Sequence, residues 1–168
     1  MRVTRSGRGV AVVAAGLLLC SGAVAAQRSA LGVFGDWGAF REPGRCYAIA
    51  TALSDPRQRE RQPYMTVGIW PNARIHGQLY WQLGRVPGPQ GATVQIGQQQ
   101  FRARVQGSGA WAQDARMDAA IKAALRNASA LSVVYRDTTG RRFSDRYRLE
   151  GAATAMDAAT LACAPRRQ

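Results

Sequence analysis

The chain has 168 residues, 46% of them hydrophobic, and a formal net charge of +13. That length suits one domain with one core and leaves no room for a sizeable second one. The charge points to anionic neighbours such as lipopolysaccharide phosphates, acidic surface polymers or nucleic acid. It speaks to association rather than to fold.

The first segment reads as an export leader, residues 1–26. Arg2, Arg5 and Arg8 form a basic start, Gly9 to Cys20 is an almost unbroken apolar run, and Ala23-Val24-Ala25-Ala26 supplies small residues for cleavage. The run is too short to cross a bilayer comfortably, so the reading is a removed signal peptide and not an anchor. Leu19 stands immediately before Cys20, where a lipoprotein site needs a small residue. Subtracting the three leader arginines from +13 leaves +10 on residues 27–168, and Lys122 is the lone lysine. Cys20 leaves with the leader. Cys46 and Cys163 then remain, and in an oxidising compartment they are expected to pair. Two cysteines and the single histidine, His76, are too few and wrongly spaced for a metal site, and no cofactor is expected.

Beyond the leader, Leu31 to Phe40 is rich in glycine and aromatics, and Cys46 to Thr51 reads as a short first strand after a turn from Phe40 to Arg45. Asp55 to Pro63 is a charged loop bracketed by Pro56 and Pro63. Met65, Val67 and Ile69 alternate with Tyr64, Thr66 and Gly68, and Pro71-Asn72 turns the chain. Ile75, Gly77, Leu79, Trp81 and Leu83 then point one way, with His76, Gln78, Tyr80 and Gln82 on the other, completing a hairpin. Pro87-Gly88-Pro89 breaks the pattern. Ala92 to Ile96 and Gln100 to Val105 follow as a second hairpin, with Phe101, Ala103 and Val105 inward and Arg102 and Arg104 outward.

A helix capped by Asp114 carries the stripe Met117, Ile121, Ala124 and Leu125 and ends near Asn127. Leu131 to Arg136 and Arg142 to Glu150 form a third hairpin around Asp137-Thr138-Thr139-Gly140. A last helix, Ala153 to Cys163, places Met156, Ala159 and Cys163 on one face. The expected fold is α+β: mainly an antiparallel sandwich or half-barrel, covered by two short helices and tied by one long-range disulfide. No segment of the mature chain reads as a membrane span.

Four arginines form the candidate anion-binding patch. Arg142, Arg146 and Arg148 lie opposite in phase to Phe143, Tyr147 and Leu149, and Arg136 extends the stripe across the hairpin. Asp145 falls on the inward phase, where a carboxylate must be paired or neutral, so an internal structural pairing is expected. Asp114 and Asp118 share a helix face and are explained by the N-terminal dipole. The rings of Phe34, Trp37, Phe40, Trp70, Tyr80, Trp81 and Trp111 divide between core filling and a stacking surface, a division that composition does not fix.

Phe34-Gly35-Asp36-Trp37 followed by Cys46-Tyr47-Ala48-Ile49-Ala50 resembles one end of the invasion-associated locus B family. The other end is matched by Phe143-Ser144-Asp145, Tyr147, Leu149 and Gly151 leading to Ala155-Met156 and Cys163. The family consists of exported alphaproteobacterial envelope proteins. Trp37 and Cys46 stand further apart here than in better-known members, so the chain resembles a divergent branch. The resemblance implies a periplasmic or secreted protein with no established catalytic residues, and the basic face points to an anionic envelope component or a protein as its partner. The alternative is a small periplasmic hydrolase or hydrolase inhibitor, which needs a pocket uniting Asp145, Asp36 or His76. No recognised nucleic-acid motif appears.

Overall fold

Strict two-residue alternation dominates the computed structural model, which describes residues 27–53 and 60–165. Its strands are β1 (Ser29–Phe34), β2 (Trp37–Glu42), β3 (Arg45–Thr51), β4 (Tyr64–Trp70), β5 (Ile75–Gln82), β6 (Pro87–Ile96), β7 (Gln99–Gln106), β8 (Gly109–Trp111), β9 (Ala130–Asp137) and β10 (Arg142–Arg148). The helices are α1 (Ala115–Leu125) and α2 (Ala152–Ala162). The expected leader, residues 1–26, and residues 54–59, which take in part of the expected charged loop, lie outside the described residues.

All ten strands join one antiparallel sheet in the order β1-β2-β3-β4-β5-β8-β7-β6-β9-β10. β1 to β5 form a meander. Residues 83–86 then carry the chain past two strand positions to β6, and the β6-β7-β8 run comes back until β8 pairs with β5. α1 spans the return to β9, which takes the other edge of β6. The sheet curls without closing. Its late edge nonetheless reaches its early strands: Trp37 Nε1 donates to the Arg148 carbonyl at 2.9 Å, and Leu53 N–H donates to the Arg146 carbonyl at 2.7 Å.

One face of this curl is the core. Trp37, Met65, Leu79, Trp81, Leu83, Val94, Leu131, Val133 and Tyr147 are buried there, with Ile121 and Leu125 of α1 and Ala152, Ala155 and Met156 of α2. α2 packs across β1, β2 and β3, and its alanines let the helix sit close to the strands. Gly151 precedes it at φ +83°, and a Cβ there would fall 1.8 Å from the Phe34 carbonyl oxygen. Only glycine allows that backbone approach. Asp114 caps α1 by accepting from Met117 N–H at 2.8 Å, as the sequence indicates.

The main departures from the sequence reading concern strands with weak patterns. Cys46 to Thr51 belongs to the third strand, because the glycine-rich segment before it forms β1 and β2. The expected turn from Phe40 to Arg45 contracts to Pro43-Gly44, with β2 running through Glu42. Pro87-Gly88-Pro89 lies within β6, where the pairing with β9 shifts register between Pro87 and Ala92, so the ladder there does not require a proline N–H. The three-residue β8 has no pattern long enough to see.

Cys46 and Cys163 are bonded across a sequence separation of 117 residues, pinning β3 to the end of α2. Replacing both with serine is expected to lower unfolding free energy by about 2–5 kcal/mol, loop-closure entropy setting the upper value. Urea unfolding with and without reductant checks this: reduction should shift the parent protein and leave the Cys46→Ser/Cys163→Ser variant unmoved.

Candidate binding face

β10 places its residues in strict alternation. Phe143, Asp145 and Tyr147 are buried, while Arg142, Ser144, Arg146 and Arg148 are exposed. Arg142 lies directly opposite Arg136 of β9, and Arg146 opposite Ser132. Successive outward positions on a strand are about 7 Å apart, so Arg142, Arg146 and Arg148, with Arg136 beside them, form a row of exposed cations. Arg136 donates to the Gly140 carbonyl at 2.8 Å, and Arg148 stands 3.6 Å from Asp36 Oδ2. Among the described residues, neither Arg142 nor Arg146 has an acidic partner. A cavity of about 260 Å³ beside the row is lined by Thr93, Arg102, Arg136 and Arg142. Arg102 therefore joins the patch from β7. Its outward phase was legible, but the strand order that brings β7 and β6 alongside β9 was not.

The groups that would serve acid–base chemistry are not brought together. Asp36 sits in the turn between β1 and β2 beside Arg148, and His76 is exposed at the start of β5. Asp145 lies inside. Its Oδ2 accepts from the Tyr135 hydroxyl at 3.0 Å and from Gly84 N–H at 3.2 Å, while the Tyr135 oxygen accepts from Arg85 N–H at 3.2 Å. This carboxylate thus fastens the 83–86 crossover, whose peptide groups need partners once covered, to the β9–β10 hairpin. The internal pairing expected from the sequence thus includes a tyrosine hydroxyl and a backbone amide. Asp118 accepts from Leu79 N–H at 2.9 Å and ties α1 to β5. Burial raises its carboxyl above the ordinary range, opposed by that hydrogen bond and by Lys122. Among the described residues, no group of three or more histidine, cysteine, aspartate or glutamate side chains could hold a metal ion.

Asp137 closes the β9–β10 turn by accepting from Thr139 Oγ1 (2.6 Å), Thr139 N–H (2.9 Å) and Arg141 N–H (3.0 Å). The Thr139 hydroxyl foremost, then the two amides and the Arg85 charge, hold its carboxyl below the ordinary range.

Strand phase sorts the aromatic rings. Trp37 and Trp81 are fully buried and Phe34 packs against the core. Phe40, Tyr64, Trp70, Tyr80 and Trp111 emerge on the outer face, half-buried, and Tyr47 lies buried beside Phe40 on the same face. All of these rings except Phe40 border a groove of about 480 Å³ across β3, β4, β5 and β8. Arg28 lies 4.0 Å from the Phe40 ring centroid and Arg45 5.1 Å from that of Tyr47. Tyr47 was not singled out from sequence, although its place opposite Phe40 follows once β2 is recognised as a strand.

Comparison with known proteins gives no match to a family model, to a curated protein or to a solved structure.

Two outcomes follow from the buried and turn carboxylates. Tyr135→Phe removes a donor to Asp145 and the acceptor of Arg85 N–H, and should cost about 1–3 kcal/mol in denaturant unfolding. Asp137, being depressed, contributes stability above its unfolded value and loses that contribution as pH falls through the folded value. Protection of the Thr139 and Arg141 amides from exchange, taken relative to the intrinsic rate at each pH, should therefore fall in acid, and an Asp137→Asn variant should lack this acid-dependent step.

Proposed function

We propose that this chain is a noncatalytic exported protein of the cell envelope, akin to the invasion-associated locus B proteins, that binds an anionic envelope component through the arginine face of β9 and β10. The observation that carries the reading is the alternation in β10. Three arginines face solvent while their neighbours Phe143, Asp145 and Tyr147 are buried, and Arg136 continues the row on β9. Such a row concentrates positive potential on a surface held rigid by its own core. Phosphate-bearing lipid headgroups, spaced along a surface, meet it without needing a deep pocket.

The leader-like segment supports export, and the Cys46–Cys163 bond is the type of cross-link that an oxidising compartment maintains. No helix among the described residues is long and apolar enough to cross a membrane, so contact with lipid would be made from the surface. The hydrolase alternative requires Asp36, His76 or Asp145 to meet in one pocket. They occupy a turn, a strand start and a buried anchor respectively.

Arg146→Gln combined with Arg148→Gln should weaken binding to lipopolysaccharide micelles by about thirtyfold, from roughly 1 kcal/mol for each arginine at an anionic surface. Micelle titration at several salt concentrations measures this. The parent protein should lose affinity with added salt more steeply than the variant, and unchanged affinity would refute the proposal.

A further inference from the structure

We propose a second binding site, separate from the arginine row: the groove across β3, β4, β5 and β8 takes a strand of an acidic polysaccharide. Sugar faces would stack on Trp70, Tyr80 and Trp111, with carboxylates met by Arg28 and Arg45. Two glycines set the position of the indole rings. Gly68 and Gly109 each stand two residues before a tryptophan in the same strand, hence on the same face of the sheet. A Cβ on Gly68 would come within 2.3 Å of the Trp70 ring, and one on Gly109 within 2.5 Å of the Trp111 ring. Each indole therefore folds back over its own strand, in the space that a side chain would otherwise occupy. One ring face rests on glycine and the other is turned outward.

The neighbouring rings extend this surface. Tyr80 lies 5.2 Å from Trp111 at an interplanar angle of 51°, and Tyr64 lies 5.9 Å from Tyr80 at 58°. Tyr64, Tyr80 and Trp111 thus make a wall of mutually tilted rings whose faces turn from one to the next. Successive sugars along a polysaccharide also turn, and their apolar C–H faces suit the electron-rich faces of the rings. A parallel stack of bases would need coplanar rings. Thr66 and Gln78 line the same groove and supply hydrogen-bonding groups for hydroxyls. Its volume, about 480 Å³, is that of an ordinary ligand cleft.

Charge selects an acidic sugar over a neutral one. Arg28 spends its planar face on Phe40 and approaches Glu42 only to 3.9 Å, so its N–H edge is open to a ligand. Arg45 is paired with Glu42, which also accepts from the Tyr47 hydroxyl at 2.7 Å. Two guanidinium groups share one carboxylate, leaving the rim of the groove net positive. The planar fork of arginine matches a sugar carboxylate in two parallel hydrogen bonds.

The test is isothermal titration of the mature protein with tetragalacturonate, its methyl-esterified form, and oligodeoxythymidylate. Tetragalacturonate should bind, and Trp111→Ala should weaken it by about tenfold, the size of one lost aromatic contact, while Trp111→Phe largely restores it. Trp70→Ala supplies an independent reading should Trp111→Ala fail to fold. Arg28→Gln with Arg45→Gln should erase the preference for the acidic sugar over its ester. Arg146→Gln with Arg148→Gln should leave tetragalacturonate binding intact, and Trp111→Ala should leave micelle binding intact, so this site and the arginine row stand or fall separately. Absence of tetragalacturonate binding, binding indifferent to both tryptophans, or tighter binding of the oligonucleotide would each overturn the proposal.

Discussion

The return of the chain's last strand and helix to its first strands is the contact on which this architecture rests. A ten-stranded sheet has two edges and two faces, and its inner face is dry only if the curl brings the ends together. Four local features hold them: the Trp37 indole on the Arg148 carbonyl, the Leu53 amide on the Arg146 carbonyl, Gly151 against the Phe34 carbonyl, and the Cys46–Cys163 bond. Each joins residues from opposite ends of the described chain. With them in place α2 covers β1 to β3, and the outward phase of every strand becomes a fixed surface.

That surface and the interior divide the charged groups between them. Inside, Asp145 anchors the crossover at Gly84, and at the margin Asp118 fastens α1 to Leu79. These carboxylates work on the fold itself. Outside, the arginines of β9 and β10 stand in a row, and the aromatic groove of β3, β4, β5 and β8 carries its own two arginines at the rim. Arg104, on the outward phase of β7 and opposite Trp111, lies between these regions.

The elements that could be read from sequence are those whose pattern is long and uninterrupted. The alternation of β10, the stripe of α1 and the β4–β5 hairpin from Gly77 on followed from residue periodicity, because one face of each is wet and the other dry. A register shift between Gly68 and Ile69 takes Ile75 and His76 out of the expected phase, and Asp114 was legible as a cap from its residue type. β1 and β2 were hidden by glycine, which carries no side chain to report a face, and β8 by its length. Asp145 was legible as buried, but not its bond to an amide 61 residues earlier, since only the strand order brings Gly84 over β10. The same limit applied to the rings. Trp81 and Trp111 look alike in composition, and one fills the core while the other faces out because they fall on opposite phases of adjacent strands.

Both proposed binding sites lie on the outer face of the sheet. Amide chemical-shift mapping of residues 27–168 during titration with lipopolysaccharide micelles and with tetragalacturonate tests their use most directly. Shifts should gather at outward positions of β4, β5, β8, β9 and β10, with the interior around Asp145 quiet. Shifts confined instead to His76, Lys122 and the gap between α1 and α2 would contradict it.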